Sequence, residues 1–105
     1  MSVLSLYSLR CLDAQEGGGD EIYFKFQDNG GSGTGKSAVF EGLDNGDFRY
    51  ISGSFSFSGS VKLTMFEDDT FSDDNIQSAT LYNPGYHSVT LGESGMKYVL
   101  DYIIY

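Results

Sequence analysis

The stretch Glu21-Ile-Tyr-Phe-Lys-Phe-Gln27 sets Ile22, Phe24 and Phe26 on one side of an extended backbone and Tyr23, Lys25 and Gln27 on the other. That period of two predicts a half-buried strand. Upstream, Val3 to Leu12 reads as another strand, broken by the glycine-rich acidic loop from Asp13 to Glu21. Downstream, Val61, Leu63 and Met65 alternate with Lys62, Thr64 and Phe66, and Met96, Tyr98, Leu100, Tyr102 and Ile104 alternate with Lys97, Val99, Asp101 and Ile103. The last of these is expected to be a central, well-covered strand.

Between them, Ser37 to Glu41 and Phe48 to Ile51 flank the turn signal Asp44-Asn45-Gly46 like the arms of a hairpin. Ser54 to Phe57 is a strand before Ser58-Gly59, and Asp28 to Gly35 reads as a linker. Ile76 to Tyr82 and Tyr86 to Leu91 surround the turn Asn83-Pro84-Gly85. Many short strands at this spacing predict an all-β fold, a single-domain antiparallel β-sandwich of about eight strands over residues 1–105. Eight Tyr, eight Phe, fourteen Gly and one Pro agree with strands and turns rather than helices.

Fifteen acidic against six basic residues give a net charge of −9, so the surface as a whole repels phosphate backbones and nucleic acid is not expected as a partner. No two of the basic residues are adjacent, so the sequence holds no polybasic run for anionic lipid. No segment is apolar for long enough to span a bilayer, and residues 1–12 lack the basic start and cleavage site of a signal peptide. Cys11 stands alone, which rules out an intramolecular disulfide and suits a small buried hydrophobe.

Two motifs invite a chemical reading. Gly30-Gly-Ser-Gly-Thr-Gly-Lys36-Ser37 fits the phosphate-binding P-loop pattern letter for letter. A working P-loop must open a helix, and the residues after Ser37 break within about two turns, so a flexible loop is expected instead. His87, the only histidine, has no nucleophile in a recognisable setting, and no catalytic residues are assigned.

The acids are the second motif. Asp13, Glu16, Asp20, Glu21, Glu67, Asp68, Asp69, Asp73 and Asp74 fall in two short segments, 13–21 and 67–74. Ca²⁺ takes six to eight oxygen ligands, which carboxylates on such loops supply, whereas one His and one Cys do not make a structural zinc site. The stretch Leu9 to Asp13 with Gly18 to Phe26, and the stretch Leu63 to Leu81, resemble in the same order two calcium loops of C2 domains and their adjoining strands. Glu67 stands where that family usually has Asp, and Glu21 where it usually has Pro.

The resemblance implies that Asp13 and Asp20 of one loop, with Glu67, Asp69 and Asp73 or Asp74 of the other, surround one or two Ca²⁺ ions. It implies a calcium-binding module with a protein, glycan or phospholipid surface as partner. Phe71, at the expected tip of the second acidic loop, is read either as a residue that enters such a surface or as an anchor that folds back on its own loop. Asp68 to Ser72 also resembles the paired-acid signature of βγ-crystallin calcium sites. The competing expectation is a metal-independent sandwich that binds carbohydrate or protein through exposed tyrosines.

Overall fold

The computed structural model describes residues 1–14, 19–68, 73–93 and 95–105, and these form ten strands and no helix. One sheet runs β5 (Phe48–Tyr50), β1 (Ser2–Asp13), β10 (Met96–Ile104), β9 (Gly85–Glu93), with β6 (Ser54–Phe57) also on β1. The other runs β3 (Thr34–Lys36), β2 (Asp20–Asp28), β7 (Val61–Glu67), β8 (Asp74–Leu81), with β4 (Phe40–Leu43) also on β2. Every pairing is antiparallel. This is the expected all-β sandwich.

The alternations that predicted the strands also fill the core. Ile22, Phe24 and Phe26 of β2 and Val61, Leu63 and Met65 of β7 are buried against Leu4, Leu6 and Leu9 of β1 and the inward set of β10. Burying such a side chain contributes about 1.5–3 kcal/mol, so these facing rows dominate the favourable side of folding. β10 lies between β1 and β9, as its covered pattern requires.

Two readings need correction. The arms around Asp44-Asn45-Gly46 are not a hairpin: β4 joins β2 in one sheet and β5 joins β1 in the other. The turn itself forms, with Asp47 N donating to Asp44 O at 2.9 Å, but it docks on β1 through Gly46 N to Cys11 O and Cys11 N to Asp47 O. β6 and β7 likewise part to different sheets around Ser58-Gly59. Finally, the expected linker from Asp28 to Gly35 gives its last two residues to β3, in which Lys36 lies opposite Lys25.

That last pairing disposes of the P-loop. Lys36 lies in a strand, not at a helix N-terminus. Gly30 is there because a Cβ would sit 2.0 Å from the Ser58 carbonyl, and Gly35 because one would sit 3.0 Å from the Phe55 ring. The glycines serve close packing, and Asp28 fastens the loop by accepting from Gly30 N and Ser58 N at 2.9 and 3.0 Å.

The acidic end and the lysine groove

β2 begins where β7 ends. Ile22 faces Glu67, and Asp68 N donates to Glu21 O at 2.9 Å, so the start of β2 and the end of β7, which bound the two acidic segments, lie side by side. β1 ends at the same place, with Asp13 opposite Lys97 beside the β9–β10 turn. Antiparallel pairing therefore gathers carboxylates that lie about fifty residues apart in sequence.

Their environments differ. Asp13 is exposed at the end of β1, and Asp74 is exposed as the first residue of β8, opposite Glu67. Glu67 is buried. Asp20 is 1% exposed and accepts a hydrogen bond from the Tyr98 hydroxyl at 2.6 Å. Cys11 bonds to the same hydroxyl, and burial pushes both the Cys11 thiol and the Tyr98 phenol above their ordinary pKa values. Asp20 is thus anchored between the two sheets. Asp69, with Glu16 and Phe71, lies outside the described residues.

Asp73 accepts from the Tyr23 hydroxyl and shares a hydrogen bond with Asp68. That bond, with burial and the Asp73 charge, raises the Asp68 carboxyl above its usual value, while Lys36 opposes the shift. Asp68 was counted among the acids but not among the ligands expected from sequence. Its partner Asp73 is brought to it by the fold. Tyr23, placed by alternation on the outer side of β2, is nonetheless 1% exposed. Phe66 stacks on it at 5.3 Å and the Lys36 ammonium covers its ring at 4.4 Å. Burial first, then Asp73 and Asp68, push its phenol up to about 12.

Carboxylate oxygens are the donors Ca²⁺ prefers, and Asp68 with Asp73 already form a close pair. Among the described residues no three acidic, His or Cys side chains stand together as a ligand set. The donor type suits the ion, but the described residues bring only the pair Asp68 and Asp73 together.

Next to this end, the outer face of β3, β2, β7 and β8 holds a groove of about 620 Å³ whose lining includes Lys25, Lys36, Lys62, Gln27, Thr64 and Phe66. Three of the six basic residues meet there, although none is near another in sequence. The sequence holds no run of basic residues, but the fold lines one groove with three of them. Like charges directly opposite in a sheet repel. Lys25 and Lys36 relieve part of that by lying over the Phe66 and Tyr23 rings, at 4.7 and 4.4 Å.

No family model matches the sequence, and neither does any curated protein. Solved structures do. A structure described as a C2 domain superimposes with a TM-score of 0.64 at 21% identity, over 99% of this chain and 98% of that one. The fold is C2-like. CC2D1B, described as coordinating ESCRT-III activity during mitotic reformation of the nuclear envelope, matches with a TM-score of 0.67 at 12% identity, over 98% of this chain and 53% of its own. Human GIVD cytosolic phospholipase A2 matches at 0.61 and 13% identity, over 98% of this chain but 17% of the phospholipase. The C2-like sandwich is therefore shared with chains of very different length, at identities that speak to fold alone.

Proposed function

We propose that this chain is a non-catalytic, calcium-binding C2-like module in which Ca²⁺ sits between the loops 13–21 and 67–74. In the same proposal, the adjoining lysine groove engages an anionic phospholipid surface. The calcium reading is supported by Asp68 and Asp73 at the end where β2 starts and β7 stops: a hydrogen bond to Asp73 raises the Asp68 carboxyl above its usual value. A divalent cation relieves such crowding better than a proton does, since it carries two charges and takes several oxygens at once. Asp68 and Asp73 would hold it, with Asp13, Asp69 and Asp74 as further oxygens on the same loops. The Tyr98 hydroxyl holds Asp20 in place at the start of β2.

The groove supports the choice of surface. Its lysines stand on rigid strands, where they present charge to phosphate without the ordering cost of a flexible tail. The phospholipase among the matching structures is consistent with a lipid setting.

Calorimetry with CaCl₂ on the purified chain tests the first half. Heat of binding that disappears in the Asp68→Asn, Asp73→Asn double variant is expected, and the absence of any heat at millimolar Ca²⁺ would refute it. Co-sedimentation with phosphatidylserine vesicles, with and without chelator, tests the second. Lys25→Ala with Lys62→Ala should reduce the bound fraction, and binding unaffected by both changes would remove the groove from the reading.

A further inference from the structure

The outer face of the other sheet carries a row of aromatic rings that the acidic end and the lysine groove do not use. Phe48 and Tyr50 come from β5, Tyr7 from β1 and Tyr86 from β9, and they are 46%, 70%, 42% and 56% exposed. The rings form a connected series: Phe48 to Tyr50 at 5.1 Å, Tyr50 to Tyr7 at 5.7 Å and Tyr7 to Tyr86 at 5.5 Å, each pair steeply inclined. Tyr7 joins the row because it is the extra residue of a β-bulge, between the pairs Leu6–Tyr102 and Ser8–Asp101. The bulge keeps Leu6 and Leu9 both inward while Tyr7 points out.

Beside the rings lies a fixed polar cluster. Ser8 Oγ donates to one oxygen of Asp101 at 2.7 Å, and Ser88 Oγ donates to the other. Tyr86 stands near this carboxylate, whose charge, after burial, helps keep the Tyr86 phenol protonated. Arg10 lies over the Phe48 ring at 5.7 Å, and Lys97 stands further along the outer side of β10. Arg10 and Asp101 are of opposite sign, as are Lys97 and Asp13 at the end of the sheet, so the charges around the rings are balanced on a chain of net charge −9.

Rings exposed as steps, a carboxylate pinned by two hydroxyls and no net charge select among partners. A second copy of this chain would bring two charges of −9 together. A basic peptide or anionic lipid would find little charge to answer its own. A neutral sugar polymer fits, since each unit offers apolar C–H faces to rings and hydroxyls to fixed acceptors. We propose that this face binds a neutral polysaccharide, with sugar rings on Tyr50 and Tyr86 and sugar hydroxyls meeting the exposed Ser88 and the Asp101 carboxylate, which the buried Ser8 holds from below. It does so independently of Ca²⁺, because the cluster and rings lie on the sheet opposite β2 and β7.

Affinity electrophoresis of the whole chain in native gels containing laminarin, glucomannan, xylan or hydroxyethylcellulose tests this. At least one polymer is expected to retard the protein, equally with chelator present and in the Asp68→Asn, Asp73→Asn variant. Tyr50→Ala and Tyr86→Ala, both at exposed positions, should each weaken the interaction at least about tenfold, with unchanged melting curves confirming the fold. No retardation by any of the four polymers would overturn the proposal, as would variants that bind like the parent. A proline-rich peptide bound at the same residues, or a dimer in sedimentation that Tyr50→Ala dissolves, would assign the face to a protein partner instead.

Discussion

Replacing Tyr98 with Phe removes one oxygen from the protein interior and leaves the ring in place. That oxygen donates at 2.6 Å to Asp20, a carboxylate only 1% exposed. Hydrogen bonds to charged groups contribute about 1.5–3 kcal/mol, and deleting one partner leaves the buried charge less well solvated. A loss of about 2 kcal/mol follows, a large share of the roughly 5–15 kcal/mol that holds a domain together. For a chain of this size it corresponds to a fall of roughly 10 °C in Tm. Urea denaturation followed by far-ultraviolet circular dichroism measures it, and the slope with urea should not change, because the same surface is exposed on unfolding. Tyr102→Phe is the control: that phenol is raised by burial alone, so the change should cost distinctly less. A Tyr98→Phe variant within about 0.5 kcal/mol of the parent, or one matched by the control, would refute the anchoring of Asp20.

Alkaline pH should destabilise the chain. Tyr98 and Tyr23 both titrate higher in the folded protein than their ordinary value of 10.0. The neutral phenols therefore favour folding fully below pH 10, and the benefit shrinks as pH rises towards the folded Tyr23 value of about 12. Urea midpoints should fall between pH 9 and pH 11.5, and phenolate absorbance should show these tyrosines ionising with unfolding. In chelator at pH 7, Asp68→Asn should raise Tm slightly. The raised folded pKa of Asp68 means its contribution is most favourable below 3.8 and is lost as pH rises through the folded value. The gain should vanish near pH 3, and a lower Tm at pH 7 would count against carboxyl crowding. Gly30→Ala should cost roughly 1–3 kcal/mol in the same urea assay, because its Cβ meets the Ser58 carbonyl at 2.0 Å. A neutral result would mean that this loop approaches the 58–60 turn less closely.

The acidic end and the lysine groove meet at one side chain. Lys36 covers the Tyr23 ring, Tyr23 bonds Asp73, and Asp73 bonds Asp68. In the proposed module, filling the carboxylate pair frees Lys36 from part of its local electrostatic work, and the groove beside it gains in positive potential. Calcium and an anionic surface would then favour one another's binding.

Local alternation determined the strands. Ile22, Phe24 and Phe26, and the even-numbered residues from Met96 to Ile104, face inward as a period of two requires, because each must leave water wherever the strand is placed. The acids of 13–21 and 67–74 were likewise visible as two segments, and the downstream order of strand and loop was enough to suggest C2-like architecture. What the sequence could not fix was which strands pair. The turns at 44–47 and 58–60 look the same whether the chain doubles back or crosses to the facing sheet, and only the competition for edges of β1 and β2 decides. Pairing also brought Lys25, Lys36 and Lys62 into one groove and divided the carboxylates between a core anchor, Asp20, and a crowded pair, Asp68 and Asp73. Composition told how much charge the chain carries, but charge acts through distance and burial, and both are properties of the tertiary structure.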